Sequence, residues 1–442
     1  MSVASQPLDN RTIFRFYYPL ALSWLFMAIE SPISIGVLSR LPLPDLSTAA
    51  FFIMMGLSLW IESPVIDLLS TSTTLAKNRR DFRVLTTFVY WVIGLVTALH
   101  ALVAFTPLFG WITGRLMGVP ENVSEAALPG FRILLLWSAC IGWRRFLQGV
   151  LIRYGETKKV GFGTFVRMAA MSAAAAGLYL ISDLRGIEIA AISLMAAVAA
   201  ESLYIHMVAG PVIREKLELI EDTGDPQLTM RKLVAFHAPL TATTAVMMIG
   251  SPVVAWALAK APNSVLTLAG WQVASTLMWM CRTVVYALPE VVITLYNDAQ
   301  SAEKLRRYCL GVGLATTGSL LFFAAFGIDV FFFKEVLNAS EPVANIAHMA
   351  FIASAALPLI GAMQSYIRGM LTAHHLTVQR FAAVIVAMGA LVVALFVTIV
   401  LGYVGVISAA IAMSFALLAE LWLLMAAFRR ASGGEKMVAA EE

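Results

Sequence analysis

Apolar runs long enough to cross a bilayer recur along the whole chain, and no other feature restricts its fold so strongly. A helix rises 1.5 Å per residue, so about 20 apolar residues span the hydrocarbon layer. Runs of that length are read at 14–39, 46–75, 84–110, 126–152, 160–182 and 186–208. A second set follows at 233–259, 266–296, 305–333, 344–372, 379–401 and 404–428. Lipid offers no partner to backbone N–H and C=O groups, which leaves only helices or closed barrels, and runs this long without strict alternation predict helices. A soluble chain could not hide side chains that are 60% hydrophobic and only 13% charged. The expected fold class is therefore an all-α integral membrane protein of twelve transmembrane helices.

Lys and Arg mark the expected cytoplasmic side. Arg11 and Arg15, Lys77 with Arg79, Arg80 and Arg83, and Arg153 with Lys158 and Lys159 fall on one set of loops. Arg231 and Lys232, Lys304 with Arg306 and Arg307, and Arg429 with Arg430 fall on the same side. Both termini are predicted to be cytoplasmic in a multi-pass protein of the cell's inner (plasma) membrane. This bias accounts for the formal charge of +4 and gives no ground for a nucleic-acid partner. No removable signal peptide is expected. Cys140, Cys281 and Cys309 are odd in number and unspaced for metal, so neither a disulfide framework, a metal nor a cofactor is expected.

The chain also repeats itself. Adding 220 to a first-half position reaches its counterpart, and twelve identities fall in the forty positions 11–50. They include Pro19/Pro239, Ser31/Ser251, Pro32/Pro252 and Pro42/Pro262. Thr74/Thr294, Glu121/Glu341 and Gly149/Gly369 keep the same register. Matched Leu or Ala means little between apolar helices, but matched prolines, glycine and loop glutamates do not arise from composition. Six spans per repeat is an even number, so both repeats insert the same way round, as two parallel six-helix repeats. The expected domains are a six-helix lobe at 1–210, a cytoplasmic linker at 211–232, a second lobe at 233–430 and a cytoplasmic tail at 431–442.

The stretch Phe146-Leu-Gln-Gly-Val-Leu-Ile-Arg-Tyr-Gly-Glu-Thr-Lys resembles the exit of the fourth span in the multidrug/oligosaccharidyl-lipid/polysaccharide (MOP) exporter superfamily. A degenerate second copy runs from Arg368-Gly-Met-Leu to His374-His375, and Gly186-Ile-Glu-Ile-Ala-Ala and Gly405-Val-Ile-Ser-Ala-Ala look like its sixth and twelfth spans. Glu62-Ser-Pro-Val-Ile-Asp67 with Lys77-Asn-Arg-Arg-Asp81 is similar to the progressive ankylosis branch. The resemblance implies a MATE-like, V-shaped fold of two lobes that alternates access to a central site. The branch implies export of organic anions such as citrate, with pyrophosphate or nucleotide release.

Ionisable side chains at membrane depth cost about 2.5–3.5 kcal/mol each on insertion scales, so they mark pathways by default. Span 1 carries Glu30 beside Ser31-Pro32. The resemblance implies an acid in this span for proton or sodium coupling, and a structural ion pair is the competing reading. Span 2 carries Glu62 and a polar face of Ser63, Asp67, Ser70, Thr71 and Thr74, while span 8 carries Arg282, Tyr286, Glu290, Thr294 and Asn297. Glu62 and Arg282 are repeat-equivalent and opposite in charge, and either a gating pair across the lobes or separate local pairing would satisfy them. Arg144, Arg145 and Arg167 suit a carboxylate or phosphate through bidentate hydrogen bonds, or else hold the first lobe together by pairing with its acids. The repeat equivalents of Arg144 and Arg145 are Gln364 and Ser365, so the charge is expected to be specific to the first lobe. Glu201 and Glu420 are expected near the cytoplasmic ends of spans 6 and 12, meeting loop arginines. His237, His348 and His374-His375 lack ligand spacing and are read as structural.

No nucleophile triad or phosphate-cradling loop is present in the sequence, and an enzyme is not expected. The reading is a secondary active exporter of small organic anions, with Arg144, Arg145, Arg167, Arg282 and Tyr286 contacting substrate and Glu30, Glu62, Asp67 and Glu290 coupling or gating. A proton- or sodium-coupled multidrug antiporter and a flippase for an anionic lipid-linked precursor are the alternatives.

Overall fold

The computed structural model describes residues 8–217, 228–373, 377–403 and 405–441. Part of the expected linker, residues 218–227, lies outside them, as do His374 and His375. Every regular element among the described residues is helical. Eleven of these helices are long and apolar enough to cross a membrane, and a bent pair completes a twelfth span. The chain is a multi-pass membrane protein. Spans 1 to 6 are Asn10–Leu38, Pro44–Leu75, Arg79–Phe105, Glu121–Arg153, Thr157–Ile181 and Gly186–Leu217. Spans 7 to 9 are Met230–Leu258, Ser264–Leu295 and Ala299–Ala325. Span 10 joins Glu341–Ala353 to Leu357–Ala373 with a 44° bend, and spans 11 and 12 are Gln379–Val400 and Val406–Arg430. The final helix continues to Glu441, so the expected tail at 431–442 begins as a helical extension.

The duplication is written into the helix boundaries. Asn10–Ala28 maps onto Met230–Met248, Glu30–Leu38 onto Gly250–Leu258 and Leu68–Leu75 onto Leu288–Leu295, each at an offset of 220. Arg79–Phe105 maps onto Ala299–Ala325 and Trp137–Arg153 onto Leu357–Ala373 in the same way. Gly118 and Asn338, also 220 apart, both sit at positive φ, 67° and 54°. Asn is among the side-chain-bearing residues that tolerate this region best, which is how both turns keep the same backbone conformation.

Breaks inside the spans follow from proline. A proline donates no hydrogen bond to the carbonyl four residues earlier. Pro32 and Pro252 therefore release the carbonyls of Ala28 and Met248, where the first helices of spans 1 and 7 end. In span 2, Pro64 is followed by the end of one helix at Ile66 and the start of the next at Leu68, with Asp67 at the joint. Span 8 has no proline at the equivalent position and instead tightens to a 3-10 turn over Thr283–Ala287.

The helices pack as two compact units: Ile33–Ala269, and Met1–Pro32 with Gly270–Glu442. These units are cut differently from the halves 1–210 and 233–430 of the sequence repeat. The unit holding spans 2 to 6 also holds span 7, and the unit of spans 9 to 12 also holds the first helix of span 1. A pair of repeat-related hydrogen bonds accompanies this exchange. Tyr17 Oη donates to the Val284 carbonyl at 3.1 Å in one unit. His237 Nε2 lies 2.9 Å from the Pro64 carbonyl in the other. Tyr17 and His237 differ by 220, as do Pro64 and Val284. Each span-1-type helix thus serves a carbonyl at the break of the span-2-type helix against which it packs. Away from these cores, Trp91, Leu95, Leu99 and Leu102 form an exposed apolar stripe on span 3, as a lipid-facing surface requires.

The Gly155-Glu156-Thr157 turn closes span 4. Gly155 adopts φ 80°, and the Glu156 amide donates to the Leu151 carbonyl at 2.8 Å, as in a Schellman stop. Lys216 Nζ, at the end of span 6, then reaches the Glu156 carboxylate at 2.8 Å, with Lys159 at 3.2 Å. The hydrogen bond from Lys216, followed by that from Lys159, holds the Glu156 carboxyl below its ordinary value of 4.5. A depressed folded value gives stability that is present above the unfolded pKa and disappears as pH falls through the folded one. Lys216→Ala is therefore expected to lower the thermal midpoint slightly at neutral pH. Thermal denaturation in detergent should show that gap closing as the pH drops below about 4.5.

Candidate functional site

The buried charges of the first unit converge on Glu201, which is 1% exposed. Arg144 of span 4 forms an ion pair with its Oε2, Gln148 Nε2 donates to Oε1 at 3.1 Å, and Arg167 Nη1 of span 5 lies 3.6 Å from Oε2. Arg144 and Gln148 are four residues apart, which stacks them on one helix face toward Glu201. Glu62 of span 2 is also buried and lies within electrostatic range of Arg144, Arg145 and Arg167. Its Oε2 has no hydrogen-bond partner among the described residues, nor do Nε of Arg144 and Nε of Arg145. Unsatisfied buried polar atoms are rare, because each costs roughly 1–3 kcal/mol, and a group of them in one place calls for an explanation.

One turn beyond Glu62 and Ser63, Asp67 occupies the joint of span 2. Its side chain bonds Thr244 of span 7, His237 and Arg145 lie within electrostatic range, and its Oδ2 has no partner among the described residues. Thr71 Oγ1 lies 2.9 Å from His237 Nδ1. Ser63 and Thr71 of the expected polar face are buried, whereas Ser70 and Thr74 are exposed.

The second unit repeats the carboxylate-centred set with its partners exchanged. Glu420 accepts from Gln364 Nε2 at 3.1 Å and from Arg368 Nε at 3.0 Å, and also pairs with Arg368 Nη2. Gln364 and Arg368 lie 220 beyond Arg144 and Gln148, while Glu420 lies 219 beyond Glu201. The arginine and the glutamine have changed places. This corrects the expectation that the charge of this group is specific to the first lobe, because Arg368 carries it from the neighbouring turn. It also corrects the placing of Glu201 and Glu420. Span 6 runs on to Leu217, so Glu201 lies mid-span and meets intramembrane guanidiniums rather than loop arginines.

The remaining expected site residues lie in the second unit. Glu30 is half-buried at the break of span 1, and the neighbouring Ser31 Oγ bonds Thr276 Oγ1 at 2.9 Å. Tyr286 sits between Trp24 and Trp279, with ring centroids 5.8 and 5.3 Å away. Arg282 is half-buried and Glu290 is exposed. The structure therefore gathers Glu62, Asp67, Arg144, Arg145 and Arg167 in one unit and Glu30, Arg282, Tyr286 and Glu290 in the other. Among the described residues no group of three side chains is arranged to hold a metal ion, and the three cysteines are free thiols. A separate cavity of 520 Å³, lined by Pro42, Asn122, Glu125, Asp183 and Arg185, contains none of these charges.

No known family profile matches the chain, and no curated protein does. Solved structures do match over nearly its whole length. An inward-facing multidrug resistance MATE family transporter of the MOP superfamily aligns at a TM-score of 0.71 with 13% identity, covering 96% of this chain and 99% of that one. A MOP superfamily transporter from Pyrococcus furiosus aligns at 0.65 with 14% identity, covering 99% and 100%. The lipid II flippase MurJ, in an inward closed conformation, aligns at 0.72 with 15% identity, covering 93% and 87%.

The chain has the MATE-like fold.

Within that fold the duplication allows the two units to be compared position by position. Both units share the Arg–Gln–Glu set. What remains specific to the first unit is a short list. Arg145 stands opposite Ser365, Arg167 opposite Ala387, Glu62 opposite Arg282, Asp67 opposite Ala287, Thr71 opposite Val291 and His237 opposite Tyr17. Gln148 and Thr244 also belong to these groups, and nothing in their local sequence marks them. His237 and Tyr17 are unlike residues at equivalent positions that make the same bond to a backbone carbonyl.

Proposed function

We propose that the protein is a secondary active transporter of the MOP type, working by alternating access, and that its substrate is a small organic anion. Arg145 carries the substrate class. Of the three arginines in the cluster it is the one outside the Glu201 bond set, it is half-buried, and its Nε has no partner among the described residues. A guanidinium held at membrane depth with an open donor suits a carboxylate or phosphate, which it binds bidentately and with charge assistance. The Pyrococcus furiosus transporter of this fold, whose reverse pocket polarity suggests a different function, lends support by analogy. Arg167 lines the same group, and Arg282 and Tyr286 are assigned to substrate contact in the other unit. Glu30, Glu62, Asp67 and Glu290 are assigned to coupling or gating. The Lys and Arg clusters support cytoplasmic termini, with the protein in the plasma membrane. The similarity of 62–67 and 77–81 to the progressive ankylosis branch makes citrate the first probe.

A second reading, a cation-coupled multidrug exporter, is favoured by the open carboxylate oxygens of Glu62 and Asp67. Uptake of labelled citrate and of tetraphenylphosphonium into proteoliposomes separates the two. Arg145→Ala is expected to lower citrate uptake about 10- to 100-fold, the loss of one charged hydrogen-bonding group. Uptake of the lipophilic cation that survives Arg145→Ala but not Glu62→Gln would replace the anion reading with the multidrug one.

A further inference from the structure

The environment of His237 accepts a proton without moving a heavy atom. A carbonyl oxygen can only accept, so the 2.9 Å contact with Pro64 requires that His237 Nε2 carry hydrogen. Its Nδ1 faces Thr71 Oγ1 at 2.9 Å. The same hydroxyl lies 3.0 Å from the Asp67 carbonyl, which already accepts from the Thr71 amide at 3.0 Å. With a neutral ring, the Thr71 hydroxyl donates to Nδ1 and the amide alone serves the Asp67 carbonyl. With a charged ring, Nδ1–H donates to Thr71 Oγ1 and the hydroxyl turns its hydrogen to the Asp67 carbonyl. Every polar group is satisfied in both states, and only an O–H bond rotates.

The charged groups around this imidazole are few. From span 2 it faces Asp67, whose Oδ2 has no partner among the described residues, together with the Pro64 carbonyl and Thr71. From span 3 it faces the edge of Phe88, with centroids 5.2 Å apart. On its own helix Thr244 bonds Asp67, and Arg145 of span 4 acts on Asp67. The second unit lacks the arrangement. Tyr17 keeps the single bond to the backbone carbonyl, while Val291 and Ala287 replace Thr71 and Asp67. A bond needed only for packing is met by tyrosine, so the second ring nitrogen and its relay serve something else.

We propose that His237, with Thr71 and Asp67, is a proton-binding site that couples the transport cycle to pH, the proton being taken up on Nδ1. This rests on the reading of the protein as a transporter. The site ties span 7 to the joint of span 2. A proton held more tightly in one conformation than in the other shifts the balance between them by that difference in affinity.

Two measurements test it, and they fail separately. In protein labelled with ¹⁵N-histidine and embedded in nanodiscs, the signals lost in His237→Tyr are those of His237. Tyr is the repeat-matched replacement that retains a donor to the Pro64 carbonyl. Nδ1 is expected to change from unprotonated to protonated between about pH 8 and 5, while Nε2 stays protonated throughout. Asp67→Asn should move that inflection to lower pH. An Nδ1 that stays unprotonated over the whole range overturns the site, whatever the protein carries. In proteoliposomes, a pH step of one unit is expected to sustain about a tenfold citrate gradient for one proton per cycle. His237→Tyr should reduce that gradient to simple equilibration while leaving citrate counterflow intact. If the unmodified protein moves no citrate, the anion reading falls and the titration alone decides the proton site. A variant that still concentrates citrate under the pH step overturns the coupling.

Discussion

The double variant Arg144→Gln with Gln148→Arg is expected to fold and to regain most of the stability that Arg144→Gln alone loses. The single change leaves Glu201 with the 3.6 Å contact to Arg167 and a neutral amide in place of its direct ion pair. Removing one partner of a buried pair costs about 3–5 kcal/mol, because the other charge stays desolvated. The remaining guanidinium should keep the loss near the lower end of that range. Placing arginine at 148 rebuilds the arrangement that Arg368, Gln364 and Glu420 already use one repeat later. Chemical or thermal unfolding in detergent checks this. Additive effects of the two changes would show that the groups act independently and that the exchange between repeats has no energetic meaning.

A methyl group at Gly149 is expected to be at least as damaging. Span 4 lies so close to the second helix of span 2 that a Cβ at 149 would overlap Ser72 Oγ and the Leu69 carbonyl and stand 3.0 Å from the Thr73 amide. Thr73 Oγ1 also donates to the Gly149 carbonyl at 3.2 Å, which fixes the approach. Overpacking typically costs 1–3 kcal/mol, and here the obstacle is backbone that cannot turn aside, so Gly149→Ala should cost about 3 kcal/mol or more. Gly369 is the repeat partner, with a Cβ 2.7 Å from Val292 Cβ. Gly94, with nothing within 4 Å, is the control, and Gly94→Ala should be neutral or slightly stabilising. Size-exclusion profiles of the solubilised variants distinguish these outcomes.

Span number, the helix class, the proline breaks and the offset of 220 were legible because each depends on local chemistry or on direct repetition. Packing partners were not. Apolar helices carry little information about which neighbour they choose, and nothing in spans 1 and 7 announced that each would join the other repeat's second span. Glu201 was misplaced because the apolar run ends near 208 while the helix continues to Leu217. The Arg144–Glu201 pair joins residues 57 positions apart. Its counterpart was hidden by the exchange of arginine and glutamine, since position 364 compared with 144 shows only a lost charge. The equivalence of His237 and Tyr17 is not legible as an identity, because unlike side chains perform the same hydrogen bond. The acids and arginines of span 2 and span 4 are legible as charges at membrane depth, though not which arginine lies outside the Glu201 bond set.

Untargeted mass spectrometry of spent medium tests the central claim most directly. Cells expressing the unmodified protein, Arg145→Ala and no transporter would be compared, with membrane insertion verified for both forms. The account predicts that citrate, phosphate esters or similar small anions accumulate outside only with the unmodified protein. Identical anion profiles in all three media, with both proteins properly inserted, would contradict it.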